Sequence, residues 1–284
     1  MQLRDQHVFI TGGSSGIGLA LARQAALAGA RVSLLGRDPA KLAAAAALIR
    51  KDRVASATSV AATAAEVEVV TLPADVGNQA AIPAVLAAAE AVHGPVDVVI
   101  TSAGTARPGH FEELPIAEFE RAMTINYLGS VYVVKAVVPS MRARGRGKIV
   151  LISSGAGLVG LFGYTAYAPT KFALRGFAES LRGELAPAGI QVSIVYPPDS
   201  DTPQLAEENL TKPAETRALT AGAGLWTADA VARVTWRGVE RGRFAITPGF
   251  PLTALGWLHS IAAPVLRWSF DRTTRKAAQK SPGR

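Results

Sequence analysis

Short apolar runs alternate with longer amphipathic stretches along most of this 284-residue chain. Residues 7–11, 31–35, 66–72, 96–100, 148–152, 191–196 and 243–247 are rich in Val, Ile and Leu, which predicts strands buried on both faces. Between them, residues 19–28, 41–65, 116–141, 166–186 and 227–240 have the composition or spacing of helices. Residues 52–63 add Ser, Thr and Val to the alanine-rich run and predict a break or a mobile insertion. Asn126 and Gly129 are poor helix residues and predict a kink or a boundary, with a freed carbonyl as a water-binding point. Pro169 is tolerated only in a first helical turn, so the helix there begins near Ala166. Residues 197–225 read as a long polar loop, the kind that serves as a lid.

Strand and helix in strict alternation predict an α/β fold: one domain over residues 1–250, doubly wound around a parallel seven-stranded sheet. In such a sheet the site lies at the C-terminal ends of the strands. Thr11, Gly36, Asp75, Gly104, Ser154 and Pro197 all fall there.

The first of these ends carries Thr11-Gly12-Gly13-Ser14-Ser15-Gly16-Ile17-Gly18, between a strand and a helix. Backbone N–H groups and a helix N-terminus converge on such a turn and suit a dinucleotide pyrophosphate. Gly12 permits the turn, Gly16 the close approach of phosphate, and Gly18 the packing of helix on strand. At the end of the second strand, where an acidic residue would take a ribose 2′-hydroxyl, Gly36 leaves room and Arg37 suits a 2′-phosphate, which favours NADP; Asp38 either competes for the ribose or caps the next helix, and Pro39 after it favours the cap. Asp75 and Val76 fall where an adenine would lie, Asp75 alternatively as a cap of the next helix. Farther on, Tyr167 and Lys171 are four apart on one helix face, where a cation favours the phenolate.

Composition narrows the chemistry. The absence of cysteine excludes disulfides, thiolate metal sites and a cysteine nucleophile, and four scattered histidines offer no metal-ligand spacing. The N-terminus lacks the pattern of a signal peptide, and a cytoplasmic protein is expected. No stretch of spanning length is both apolar and uncharged. Net charge is +8, and residues 267–284 hold six basic side chains against Asp271. Residues 251–270 are rich in Leu, Trp and Phe, so 251–284 reads as an apolar then basic segment: a peripheral membrane contact or an oligomer contact, with no nucleic acid expected.

Taken together, the glycine turn, Asn126, Ser154 thirteen residues before Tyr167, and Tyr167-x-x-x-Lys171 resemble the short-chain dehydrogenase/reductase family, over residues 6–247. The resemblance implies a Rossmann fold. It implies catalytic roles for Asn126 (a relay water), Ser154 (the carbonyl oxygen), Tyr167 (the proton) and Lys171 (the ribose and the phenol's pKa). It also implies NADPH/NADP+ contacts from Gly12, Ser14, Ser15, Gly16, Ile17, Gly18, Arg37, Lys41, Asp75, Val76, Ala103, Gly104, Tyr167, Lys171, Pro197 and Thr202, and a homo-oligomer, dimer or tetramer. Two departures stand out: Thr101-Ser102-Ala103-Gly104 where the family has Asn-Asn-Ala-Gly, and Pro197-Pro198 where it has Pro-Gly. Residues 196–217 and 125–130 resemble its 3-ketodihydrosphingosine reductase branch. That implies a long-chain amino-ketone lipid as substrate, touched by Ser154, Gly155, Tyr164, Asp199 and Asp201; of the acids in the covering loop, Asp199, Asp201, Glu207 and Glu208, one pairs with its ammonium, Asp199 or Asp201 first. Another hydrophobic ketone as substrate, and a non-catalytic nucleotide sensor on the same fold, remain the alternatives.

Overall fold

The computed structural model describes residues 3–56, 69–220 and 224–279. β1 (His7–Thr11), α1 (Gly16–Leu27), β2 (Arg31–Gly36), α2 (Pro39–Ser56) and β3 (Val69–Pro73) form the first half. α3 (Ile82–His93), β4 (Val98–Thr101), α4 (Ile116–Ala122), α5 (Gly129–Arg144), β5 (Gly147–Ile152), α6 (Ala168–Leu185) and β6 (Ile190–Val195) follow. β7 (Ser200–Asp201), α7 (Pro203–Thr211), α8 (Ala214–Thr220), β8 (Trp226–Thr227), α9 (Ala228–Glu240), β9 (Ala245–Ile246) and α10 (Phe250–Gln279) complete the chain. The main sheet has seven strands in the order β3-β2-β1-β4-β5-β6-β9, all parallel. The order reverses between β1 and β4, where a doubly wound sheet opens a crevice.

Strand side chains alternate between two cores. Val8, Ile10, Val98, Ile100, Val150 and Ile152 face α1, α2 and α9; Phe9, Val99, Ile149, Leu151 and Ile194 face α3, α5 and α6. Neighbouring strands are in phase, with Phe9 beside Val99, Val99 beside Ile149, and Ile149 beside Val192. A one-residue slip would exchange the two cores, so burial on both faces fixes the register and with it the strand ends that carry the site.

Several boundaries differ from the expected ones. The third strand is described over Val69–Pro73, its expected start at 66–68 and most of the predicted break at 52–63 lying outside the described residues, and α2 continues to Ser56. The last strand shortens to Ala245–Ile246. The expected kink is a π-helical turn, Met123–Leu128, between α4 and α5. The segment expected as a polar loop is mostly helix: α7 and α8 form a lid, pinned by a two-stranded β7–β8 ladder. The C-terminal segment is the single helix α10, whose Leu252 and Leu255 turn in toward the site.

Candidate active site

A cavity of about 710 Å³ runs along the C-terminal ends of β1, β2, β4 and β5 and under the lid. Its nucleotide end is shaped by main chain. Gly12 has φ of 66°, and a Cβ there would lie 2.8 Å from Ala103. A Cβ on Gly18 would collide with the Gly12 carbonyl oxygen, so α1 sits against the turn only because both residues are glycine. Thr11 Oγ1 accepts from the N–H groups of Ser102 and Ala103, both at 3.1 Å, and so ties the departing Thr-Ser-Ala-Gly stretch to the turn. The N-cap of α1, Ser15, makes no side-chain capping bond, which leaves first-turn N–H groups facing the cavity.

Asp38 caps α2, its Oδ1 accepting from the N–H groups of Ala40 (2.9 Å) and Lys41 (3.1 Å). That spends its carboxylate locally and leaves Arg37 and Lys41, both exposed, as the cations at this end of the cavity. Asp75 turns its Oδ1 onto the Gly77 N–H at 2.8 Å, a local turn rather than a helix cap. Ser14, Ser15, Gly16, Ile17, Asp75, Val76, Ala103, Gly104, Pro197 and Thr202 all line the cavity.

Farther in lie Ser154, Tyr167 and Lys171, also on its wall. α6 begins at Ala168, two residues later than expected, so Tyr167 is its N-cap and Lys171 its first full turn. Lys171 is buried, its Nζ donates to the Ile152 carbonyl at 3.0 Å, and it lies 5.4 Å from the Tyr167 ring centre. Burial pulls its ammonium down to about 8, against an upward pull from the Glu208 carboxylate. The Tyr167 hydroxyl is held above the ordinary tyrosine range, by burial first and then by Glu208, while a hydrogen bond with Ser154 lowers it. This is the opposite direction from the lowering that the Tyr–Lys pairing implies: in this chamber burial and a carboxylate raise the hydroxyl and the Ser154 hydrogen bond opposes them. Ser154 Oγ also accepts from the Ala156 N–H at 3.2 Å, which orients it at the end of β5.

Asn126 is fully buried and does not line the cavity. Its Oδ1 accepts from the Thr105 N–H (2.8 Å) and its Nδ2 donates to the Thr105 carbonyl (3.0 Å) and Thr170 Oγ1 (3.0 Å). The side chain thus fastens the loop after β4 to α6. Its own carbonyl is not left free, since it accepts from Ser130 Oγ at 3.0 Å, although a carbonyl oxygen has a second lone pair.

The lid brings further groups. Tyr164 is buried with its ring 5.5 Å from that of Tyr167 and donates its hydroxyl to Glu208 Oε2 at 2.6 Å. Gln204 Nε2 donates to Glu208 Oε1 at 2.9 Å, one helical turn away on α7. Of the two aspartates expected to meet a substrate amine, Asp199 lies 3.5 Å from the buried Lys212 ammonium, and Asp201 is exposed and off the cavity wall. Glu208, which the sequence placed only among the lid acids, is the buried carboxylate of the lid on the chamber wall, beside Asp199 and Glu207; its spacing from Gln204 on a capped helix was the available signal. Gly155 borders Leu252 of α10, a neighbour that the sequence did not suggest.

A family model described as short chain dehydrogenase matches residues 6–213. A 3-dehydrosphinganine reductase of Danio rerio is 40% identical over 258 residues, 90% of this chain and 75% of its own. A 3-ketodihydrosphingosine reductase of Mus musculus is 40% identical over 265 residues, 93% of this chain and 77% of its own. Arabidopsis thaliana has a 3-dehydrosphinganine reductase, TSC10B, that is 39% identical, covering 92% and 74%. Among solved structures, a short-chain dehydrogenase from Streptomyces avermitilis superposes with a TM-score of 0.76 at 27% identity, covering 95% of this chain and 98% of its own. Levodione reductase superposes at 0.75 with 24% identity, covering 87% and 96%, a likeness of fold.

Proposed function

The chain belongs to the short-chain dehydrogenase family, and from that premise we propose that it reduces the C3 ketone of 3-ketodihydrosphingosine to dihydrosphingosine with NADPH, a step of sphingolipid biosynthesis. It is an oxidoreductase, and its cofactor is a nicotinamide dinucleotide. The residues present fit that group: backbone excludes a Cβ at Gly12 and at Gly18, and the open amides of α1 suit its pyrophosphate. Ser14, Ser15, Gly16 and Ile17 would hold the phosphates, Asp75 and Val76 the adenine, and Arg37 with Lys41 the 2′-phosphate that selects NADPH. When bound, the reduced nicotinamide ring supplies the hydride that the ketone carbon takes up.

The protein's own groups handle the oxygen. Tyr167, protonated because its surroundings disfavour the phenolate, gives its hydroxyl proton to the ketone oxygen. Ser154 donates a second hydrogen bond to that oxygen as negative charge grows on it. Lys171 holds positive charge beside the phenol, and a water held on the second lone pair of the Asn126 carbonyl would return a proton from solvent to the phenolate.

One observation carries the choice of substrate beyond the relatives' names. The cavity continues past Ser154 and Tyr167 into a mouth lined by Leu161, Leu205, Leu210, Leu219, Leu252 and Leu255, room for an alkyl chain after a reacting ketone. On α10, Leu258, Val265 and Trp268 are exposed beyond that mouth, and Arg272 lies 5.5 Å over the Trp268 ring. No helix among the described residues is long and apolar enough to cross a membrane. This stripe suits contact with an anionic lipid surface from which the substrate is drawn. Trp268→Glu should then weaken co-sedimentation with anionic vesicles; unchanged binding removes that contact.

The decisive assay is NADPH oxidation with synthetic 3-ketodihydrosphingosine. Turnover should fall about 10²- to 10⁴-fold in Tyr167→Phe, the range of general acid catalysis. No oxidation above the enzyme-free rate by the wild-type protein would reject the reading.

A further inference from the structure

We propose that Glu208 is the site for a substrate ammonium group, the charge that separates a 2-amino ketone from a plain long-chain ketone. The inference rests on the reductase reading above and goes beyond it by assigning the residue that selects the amine.

The argument begins with a carboxylate in an unusual place. Glu208 is 8% exposed, lies on the cavity wall, and acts on both Tyr167 and Lys171 through its charge. Each of its oxygens is held by a neutral donor, Tyr164 Oη at 2.6 Å and Gln204 Nε2 at 2.9 Å. Among the described residues no cation lies within ion-pair distance of it. The lid cation Lys212 is directed to Asp199 at 3.5 Å, Arg217 donates to the Lys212 and Asn209 carbonyls, and Lys171 donates to the Ile152 carbonyl. A buried charge with no counter-charge in direct contact is unfavourable unless a ligand supplies one. The two neutral donors fix the direction of the carboxylate without neutralising it, leaving lone pairs on both oxygens for a cation.

Position then selects the cation. In a 2-amino ketone the nitrogen is two bonds from the carbonyl carbon. With the ketone oxygen held by Ser154 and Tyr167, the ammonium must fall beside the Tyr167 hydroxyl, where the field of Glu208 acts. Asp199 also lines the cavity and acts on Tyr167, more weakly than Glu208, but its charge is already paired with Lys212, and Asp201 is off the wall. An ammonium bound here also offsets the negative field that Glu208 exerts on Tyr167, so the right substrate makes its own proton donor more acidic.

The test compares kcat/KM for 3-ketodihydrosphingosine with that for the same chain lacking the 2-amino group, in wild type and in Glu208→Gln, which keeps the shape and the Tyr164 contact. The amino/deamino ratio should fall about 10- to 100-fold in the variant, the loss of a charged hydrogen bond. An unchanged ratio overturns the assignment. Wild-type protein that reduces neither ketone overturns the reductase reading instead, so the two failures are distinct. A measurement without any variant guards against misfolding: decylamine should inhibit the wild type at least tenfold better than decanol, and equal inhibition also overturns the assignment.

Discussion

Gly12 and Glu208 face one cavity from opposite sides and are held there by different means. Gly12 is placed by backbone: β1 is paired on both sides, and the turn closes on Ala103 at a distance that excludes a side chain. Glu208 is placed by side chains, through Tyr164, Gln204 and, one turn on, the Lys212–Asp199 pair. The lid is tied down by the same kind of contact elsewhere, with Thr216 Oγ1 donating to the Phe162 carbonyl at 2.9 Å. Main-chain geometry suits a ligand that never changes, such as a dinucleotide. Side-chain contacts are local and replaceable, and suit the half that chooses the substrate.

The sheet half should therefore respond to global perturbation, and acid gives the largest expected effect. His7 is fully buried in β1, held by the Gly94 carbonyl (2.7 Å) and Ser33 Oγ (2.8 Å), and burial lowers it from 6.5 to about 4. The unfolded chain then binds the extra proton, so stability from this group is complete above pH 6.5 and is lost as pH falls toward 4, about 3 kcal/mol in all. Denaturant midpoints at pH 7.5 and 4.5 should show that loss, and His7→Gln should remove about that much of the slope. An equal slope in both proteins places the acid sensitivity elsewhere. Gly18→Ala comes next: the Cβ strikes the Gly12 carbonyl, for about 1–3 kcal/mol of overpacking together with weakened NADPH binding. Calorimetry and cofactor titration check it, and a variant with wild-type cofactor affinity would mean that the turn is softer than its geometry.

The same contrast decides what was legible in the sequence. Strands buried on both faces print themselves as apolar runs, and the glycine turn prints as spacing, so the sheet and the nucleotide end were readable. The lid was not, because α7 and α8 are polar and their period is weak. Even so, Thr202 before Pro203 is a helix start in plain residues: Thr202 Oγ1 accepts from the Leu205 N–H at 3.3 Å, with proline at the first helical position. Composition outweighed that signal. The Tyr164–Glu208 contact joins residues 44 apart and has no local signature, so Asp199 and Asp201, nearer the strand end, drew the attention that belongs to Glu208. Asn126 shows a third case: its poor fit to a helix and the family resemblance singled out the residue, but only the fold shows its side chain spent on Thr105 and Thr170.

Arg37→Ala sharpens the comparison on the nucleotide side, where side chains select as they do in the lid. The guanidinium is exposed at the end of β2, and Asp38 is occupied as a cap. The preference for NADPH over NADH in kcat/KM should fall about 10- to 100-fold, the loss of charged hydrogen bonds to a 2′-phosphate, with kcat for NADH little changed. A preserved preference would move selection to Lys41.

Asp199→Asn makes the smallest change and the most discriminating one. The substitution removes the partner of a Lys212 side chain that is 3% exposed, leaving a buried ammonium over the Tyr164 ring. Asp199 itself is 35% exposed, so solvent screening reduces the loss well below that of a fully buried pair, to about 1 kcal/mol. If the lid is held by its own side chains, that loss appears as local opening. Amide exchange in α7 and α8 should rise about fivefold, KM for the lipid ketone should rise with it, and the strands β1 to β6 and the unfolding midpoint should stay as they were. Faster exchange throughout the sheet would mean that lid and sheet open as one unit, and the division between a backbone-built half and a side-chain-built half would not stand.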